Sequence, residues 1–210
     1  MKIILFSLIG IFLLSCDNNQ SSATNDITDS VIEELSNSNE AELSTDEQLM
    51  QRAKEALLTL KGQNLDEFKT FIHPTKGIRF TPYTTVDTVT DVVLQRIELS
   101  TDHSESLINW GVYDGSGEAI LLQIKDYFEQ FVYNVDFVNA EKHNVNKMIG
   151  VGNSLVNYIE IYTDNPFTNH YFSGFDEQFD GLDWASISLF FEKYNDVYYL
   201  IGIIHNQWTS

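Results

Sequence analysis

The chain has a single cysteine, Cys16, and only three prolines in 210 residues. One thiol cannot close an internal disulfide, so the fold must rest on packing and hydrogen bonding whatever the compartment. Basic residues are scarce too: twelve Lys and Arg stand against thirty-one Asp and Glu, a formal net charge of −19. Nucleic-acid affinity comes mainly from neutralising phosphates, so this balance disfavours a nucleic-acid partner. It equally disfavours direct adhesion of the chain to anionic lipid. A long hydrophobic run is also lacking. The apolar stretch Ile3 to Leu14 is interrupted by Ser7 and Gly10, and it falls short of the ~20 residues that a spanning helix needs.

That stretch has the length of a signal-peptide core, and Lys2 supplies the positive charge ahead of it. Leu13-Leu14-Ser15-Cys16 follows directly and resembles the lipobox of bacterial lipoproteins. The resemblance implies that residues 1–15 are a signal peptide removed before Cys16, and that the Cys16 thiol carries a diacylglyceryl group. A thioether consumes the lone thiol, and two or more acyl chains give stable anchoring where one gives marginal binding. The expected location is the cell envelope, on the extracytoplasmic side of a bacterial membrane reached through Cys16. Asp17 resembles an inner-membrane retention signal of some Gram-negative lineages, and the sequence leaves open which membrane is used.

Residues 17 to 47 hold nine acidic residues, no Lys or Arg and no aromatic. Such a stretch buries too little apolar surface to offset its ordering entropy. Residues 16–44 are therefore expected to be a lipid-anchored flexible tether, and 45–210 a single domain. From residue 48 onward the chain carries eleven basic and twenty-two acidic residues. The simplest physical reading of that excess is solubility.

The domain opens on a helix signal. Ser44 or Thr45 can cap it, with Glu47 or Gln48 three residues on, and Leu49, Ala53, Ala56, Leu57 and Leu60 line one face up to Gly62. A second short helix is expected from Leu65, with Phe68, Phe71 and Ile72 inward, ending before Pro74. Ile78 and Phe80 alternate with polar neighbours as a strand does. Residues 91–99 fit strand or helix. Segments 107–113 and 118–122 read as strands around Asp114-Gly115-Ser116-Gly117, and Ile124, Phe128 and Phe131 have helical spacing. Further strands are expected at 143–149, 156–163, 168–173, 186–194 and 197–208, the last two joined as a hairpin at Asn195-Asp196. Helices first and strands afterwards indicate an α+β fold, with the helices packed on a curved antiparallel sheet.

The helix pair ending in Phe71-Ile72-His73-Pro74, with the final hairpin Phe190-Phe191-Glu192-Lys193 and Tyr198-Tyr199-Leu200-Ile201, resembles the nuclear-transport-factor-like α+β cone. That resemblance implies a sheet wrapped around helices to leave a pocket. Three phrases are similar to those of a group of uncharacterised bacterial lipoproteins and secreted proteins: residues 73–83, residues 113–118, and His205-Asn206-Gln207-Trp208-Thr209. The group has no established activity to carry over.

The chemistry-bearing motifs are few. Aligning the Asp114–Glu118 turn on a calcium loop puts Val112 and Gln123 where acidic ligands are required, so it reads as a hairpin turn. Gly150-Val151-Gly152 lacks a third glycine and a following helix, so it reads as a turn. Five histidines show no metal-ligand spacing, and no cysteine is left to join them. Neither a metal nor a cofactor is expected. Asp176, Asp180 and Asp183 read as a solvated loop.

The last strand is the most informative feature. Alternation puts Tyr199, Ile201, Ile203, His205 and Gln207 on one face, and Leu200, Ile204, Asn206 and Trp208 on the other. His205 and Gln207 then sit at a pocket wall, or His205 is a hydrogen-bonded core histidine. Arg79, between core residues, anchors an anionic ligand or pairs with a local carboxylate. Nineteen of the twenty-seven aromatics lie at or after Tyr127, as core or as a surface for sugar rings or peptides. The candidate ligand-binding set is Arg79, Tyr83, His205, Gln207 and Trp208. The leading expectation is a non-catalytic module binding a small molecule, glycan or protein partner. The alternatives are an envelope or extracellular hydrolase or isomerase using His205 as acid/base, and an assembly scaffold.

Overall fold

Ser44 starts the first helix because its side chain and that of Glu47 satisfy each other's orphan N–H groups. Ser44 Oγ accepts from the Glu47 N–H at 3.4 Å, and Glu47 Oε2 accepts from the Ser44 N–H at 2.9 Å. The hydroxyl contact holds the Glu47 carboxyl below its usual pKa. Helix α1, Thr45–Lys61, buries Leu49, Ala53, Ala56, Leu57 and Leu60, and ends at Gly62. In this computed structural model the described residues are 42–99, 105–150, 152 and 155–209. The expected signal peptide, Cys16 and almost all of the tether lie outside them. Among the described residues, no helix is long and apolar enough to cross a membrane.

Helix α2, Leu65–Phe68, is one turn long and continues as a tighter turn through Phe71. Strands β1 (Ile78–Thr81) and β2 (Val92–Leu94) follow. Strands β3 (Ile108–Val112) and β4 (Ala119–Leu122) form a separate hairpin. Helix α3, Ile124–Tyr127, runs on as a wider turn to Val132. Strand β5 (Lys142–Val145), helix α4 (Tyr158–Ile161) and strands β6 (Phe167–Phe172), β7 (Ala185–Tyr194) and β8 (Val197–Gln207) complete the chain. The six-stranded sheet has the order β2-β1-β8-β7-β6-β5.

The α+β class and the final hairpin are as the sequence suggests. Asn195 and Asp196 both take positive φ, 49° and 63°, which suits a two-residue turn matched to strand twist. Three expectations need correction. The sheet is mixed, because β1 pairs parallel with β8. Parallel neighbours need a long crossover, and here most of the domain separates the two strands.

Residues 156–163 are not a strand. Tyr158 and Tyr162 fall one helical turn apart and both pack on Phe190, with ring centroids 5.8 and 4.3 Å away, while Ile159 is left exposed.

The third correction concerns β8. Its register against β7 shifts between Phe190 and Phe191, so Gly202 faces Phe190 and Leu200 faces Phe191. This bulge moves Leu200 onto the inner face with Ile203, and Ile201 onto the outer face with Ile204.

The inner face packs under α1, α2 and α3 through Ile187, Leu189, Phe191, Leu200 and Ile203. The outer face is covered by described residues of the excursion 146–165. There Val86, Tyr162, Phe167, Phe190 and Ile204 form a second, smaller cluster. Gly202 is required at this contact, since a Cβ would collide with the Tyr162 hydroxyl. Burial on both faces explains why β7 is buried from Ala185 through Phe191.

Candidate functional site

Among the described residues, a cleft of about 600 Å³ opens between the 82–91 connection and the β3–β4 hairpin. The connection is shaped by its own aspartates. Asp87 Oδ1 accepts from the Val89 and Thr90 N–H groups at 2.8 and 3.2 Å, an Asx turn, and the Thr90 hydroxyl first, with these N–H groups, holds the carboxyl below its usual pKa. Asp91 folds back across the turn. Its Oδ2 accepts from Thr81 Oγ1 at 2.8 Å and from the Asp87 N–H at 3.1 Å. Burial raises the Asp91 pKa, while the Thr81 hydroxyl and the nearby Arg79 charge oppose that rise.

Tyr83 closes one side of the cleft. It is half-buried, and burial raises its pKa, while the nearby Asp114 backbone N–H opposes that rise. On the hairpin side, Trp110 Nε1–H donates to the Leu122 carbonyl at 3.0 Å. Its ring stacks on Tyr127 at 3.8 Å, Tyr127 on Phe131 at 5.1 Å, and Phe131 meets His205 edge-on at 5.7 Å. A continuous aromatic column thus runs from the cleft wall to the last strand. Thr209 joins the same rim, donating to Asp114 Oδ2 at 2.6 Å.

The five residues singled out by sequence do not converge. Tyr83 lines the cleft. His205 lies behind it with no exposed surface. Its Nδ1–H donates to the Pro82 carbonyl at 3.1 Å, and its Nε2 accepts from Asn134 Nδ2 at 3.3 Å. Burial pushes its pKa down to about 4, with the Pro82 bond opposing. This is a neutral, doubly bonded core histidine that fixes the Pro82 backbone at the cleft edge.

Arg79 lies on the outer face, paired in register with Gly202. Its Nη1 donates to the Asp87 and Asp91 carbonyls at 3.2 and 3.5 Å, so it braces the connection from behind. Gln207 borders a separate shallow depression with Asn134 and Gln130. Trp208 is 37% exposed beyond the end of β8.

Asp91 escaped the sequence reading because 91–99 fitted strand or helix, and Asp87 because the connection before that segment carried no reading. The spacing Asp87-x-x-Thr90-Asp91 is the turn signal that could have placed them. A second depression of about 440 Å³ lies near the end of α1, among Leu60, Leu65 and Phe128. Its cations are occupied: Lys61 pairs with Asp136 at 2.7 Å and Lys125 with Glu129 at 3.8 Å. Among the described residues, the cleft at Tyr83 combines its size with a desolvated carboxylate. Among the described residues, no three His, Cys, Asp or Glu gather closely enough to hold a metal ion.

No family model matches the chain, and no curated protein matches it. In structure it is similar to an NTF-2-like protein of unknown function from Shewanella oneidensis MR-1, with 9% identity and a TM-score of 0.34 over 76% of this chain and 97% of that one. It is also similar to a candidate calcium/calmodulin dependent protein kinase II association domain from Xanthomonas campestris, with 11% identity and a TM-score of 0.30 over 72% of this chain and 79% of that one. No activity, ligand or partner passes from either protein to this chain.

Proposed function

We propose that this chain is an extracytoplasmic lipoprotein, anchored through Cys16, whose cone-like domain binds a small hydroxyl-bearing or cationic molecule, a glycan fragment included, in the cleft at Tyr83. The observation that carries the reading is the cleft wall itself. Asp87, Asp91 and Asp114 meet Tyr83 and Tyr113 there without a lysine or arginine among the lining residues. Carboxylates accept hydrogen bonds from hydroxyls or pair with cations, and tyrosine rings supply flat apolar surface. Asp91 is the group best placed to accept, being desolvated and held by Thr81 from one side. An acid/base role for His205 finds no support, because both its nitrogens are engaged and it has no surface to offer a substrate.

A thermal-shift screen of the full chain against sugars, amines, nucleotides and peptides tests this reading. A ligand at 100 times its dissociation constant adds about 2.7 kcal/mol of stability. The expected hit is a neutral polyol or an amine, and Asp91→Asn or Tyr83→Ala removes its shift. A shift that survives both substitutions would overturn the assignment to the cleft. For the anchor, Cys16→Ser leaves an unprocessed, unlipidated precursor. A variant that still fractionates as a mature membrane lipoprotein would refute it.

Assembly is a second reading, favoured by Leu155 and Ile159, which are 71% and 66% exposed on the outer excursion. Light scattering of the Ile159→Asp variant, compared with the parent chain, separates the two readings.

A further inference from the structure

The histidines that show no ligand spacing in sequence include two that the sheet brings together. His143 on β5 and His170 on β6 stand directly opposite in the antiparallel register, at the sheet edge far from the cleft. Their Nδ1 atoms are 2.8 Å apart. His170 is 2% exposed, and its Nε2 lies 3.1 Å from Thr168 Oγ1, whereas His143 is exposed on the edge strand.

Two tautomer arrangements satisfy the pair, because the Thr168 hydroxyl can accept from or donate to His170 Nε2. In the one that leaves the His170 Nδ1 lone pair directed at His143, His170 Nε2–H donates to Thr168 and His143 Nδ1–H fills the gap. A ring whose far N–H is held by an oxygen while its near nitrogen is offered as a lone pair is oriented as metal-ligating histidines are.

We propose that His143 and His170 form a two-imidazole site for a divalent transition metal ion, with Cu(II) bound most tightly. The ion binds beside the line joining the two Nδ1 atoms and displaces the one proton held between them. That proton moves to His143 Nε2, so binding to the neutral pair releases no net proton. With metal–nitrogen bonds of about 2.0 Å, a 2.8 Å nitrogen separation subtends roughly 90°, which suits tetragonal Cu(II) or Ni(II) better than tetrahedral zinc. The affinity order of the first-row metals puts copper ahead of nickel. Two protein ligands leave the other coordination positions to water or to a small molecule with nitrogen or oxygen donors.

The test is a titration of the untagged full chain with Cu(II), glycine serving as competitor, read by electron paramagnetic resonance. The expected result is one equivalent of tetragonal copper whose spectrum carries nitrogen couplings from two imidazoles. His143→Gln, on the exposed edge, weakens binding at least about tenfold, the lower end of what even a supporting residue costs. His103→Gln leaves it unchanged. In the unaltered chain, Cu(II) broadens the NMR signals of residues 142–145 and 168–171 and spares 82–91, a readout that needs no variant to fold. Copper that binds equally well to His143→Gln would overturn the site. So would the absence of imidazole-bound copper at one equivalent, or broadening centred elsewhere.

Discussion

The two faces of the sheet are both closed, but by different means. The inner face is sealed by regular elements, α1 above all, whose apolar stripe shares one core with Ile187, Leu189 and Phe191. The outer face is sealed by an irregular excursion that needs polar clips. Asn157 Oδ1 accepts from the Val86 N–H at 2.8 Å, and its Nδ2 donates back to the Val86 carbonyl at 2.9 Å. Thr85 Oγ1 donates to the Leu155 carbonyl at 2.7 Å, and the Ile149 N–H donates to Asn169 Oδ1 at 2.9 Å. Helices satisfy their own backbone groups, so they can cover a sheet with apolar side chains alone. A loop must have its backbone satisfied by the side chains beneath it. That is why Asn169, Ser188 and Asn206 are buried on an outer face where the inner one carries Ile and Leu.

The sharpest way to break this comparison is to truncate one large residue on each side. Phe191→Ala on the inner face is expected to cost about 3–5 kcal/mol, because a fully buried ring leaves a cavity in a rigid environment. Ile204→Ala on the outer face is expected to cost less, since the excursion can settle into the gap. Equal losses in urea unfolding would mean that the two faces are one core.

Acid should weaken the inner face more than the outer one. His205 and His170 are held neutral by burial, with pKa values pushed from 6.5 to about 4 and about 3. Both are depressed, so the unfolded chain binds more protons below pH 6.5. Stability then falls as pH drops from about 6.5 towards 4, by at most about 1.4 kcal/mol per pH unit for each ring. Asp91 acts in the opposite sense, because burial raises its pKa and protonation relieves it. Urea unfolding from pH 7 to 4 should show the decline, and His205→Gln should flatten it. A slope unchanged by His205→Gln would contradict the account of that ring.

The smallest expected effect sharpens the outer-face half. Asn157→Ala leaves the Val86 N–H and carbonyl without their partner, at a cost of about 1–3 kcal/mol. Hydrogen exchange should quicken at Val86 and along the excursion while α1 keeps its protection.

Much of this architecture is legible in the chain, for local reasons. The α1 cap, its apolar stripe and the Asn195-Asp196 turn are encoded within a few residues each. What escapes the sequence depends on partners far away. Residues 156–163 are rich in strand-favouring side chains, and the helical turn goes with distant partners, Phe190 and Phe167 beneath and Val86 beside. The β8 bulge is set by its register with β7, so simple alternation assigns Leu200 and Ile201 to the wrong faces. Of the residues lining the cleft, Tyr83 is among the candidates named from sequence, whereas Asp91 acquires its character from Thr81 and burial. The facing of His143 and His170, twenty-seven positions apart, exists only in the paired strands.

The central claim is that the cleft at Tyr83, walled by the 82–91 connection and the β3–β4 hairpin, is where this protein takes its ligand. Chemical-shift mapping of the 15N-labelled full chain with the best thermal-shift hit tests it most directly. The account predicts shifts concentrated at residues 83–91 and 110–115, with a smaller response at His205 through Pro82. Shifts centred instead on Leu60, Phe128 and Tyr133 would contradict it and move the site to the depression beside α1.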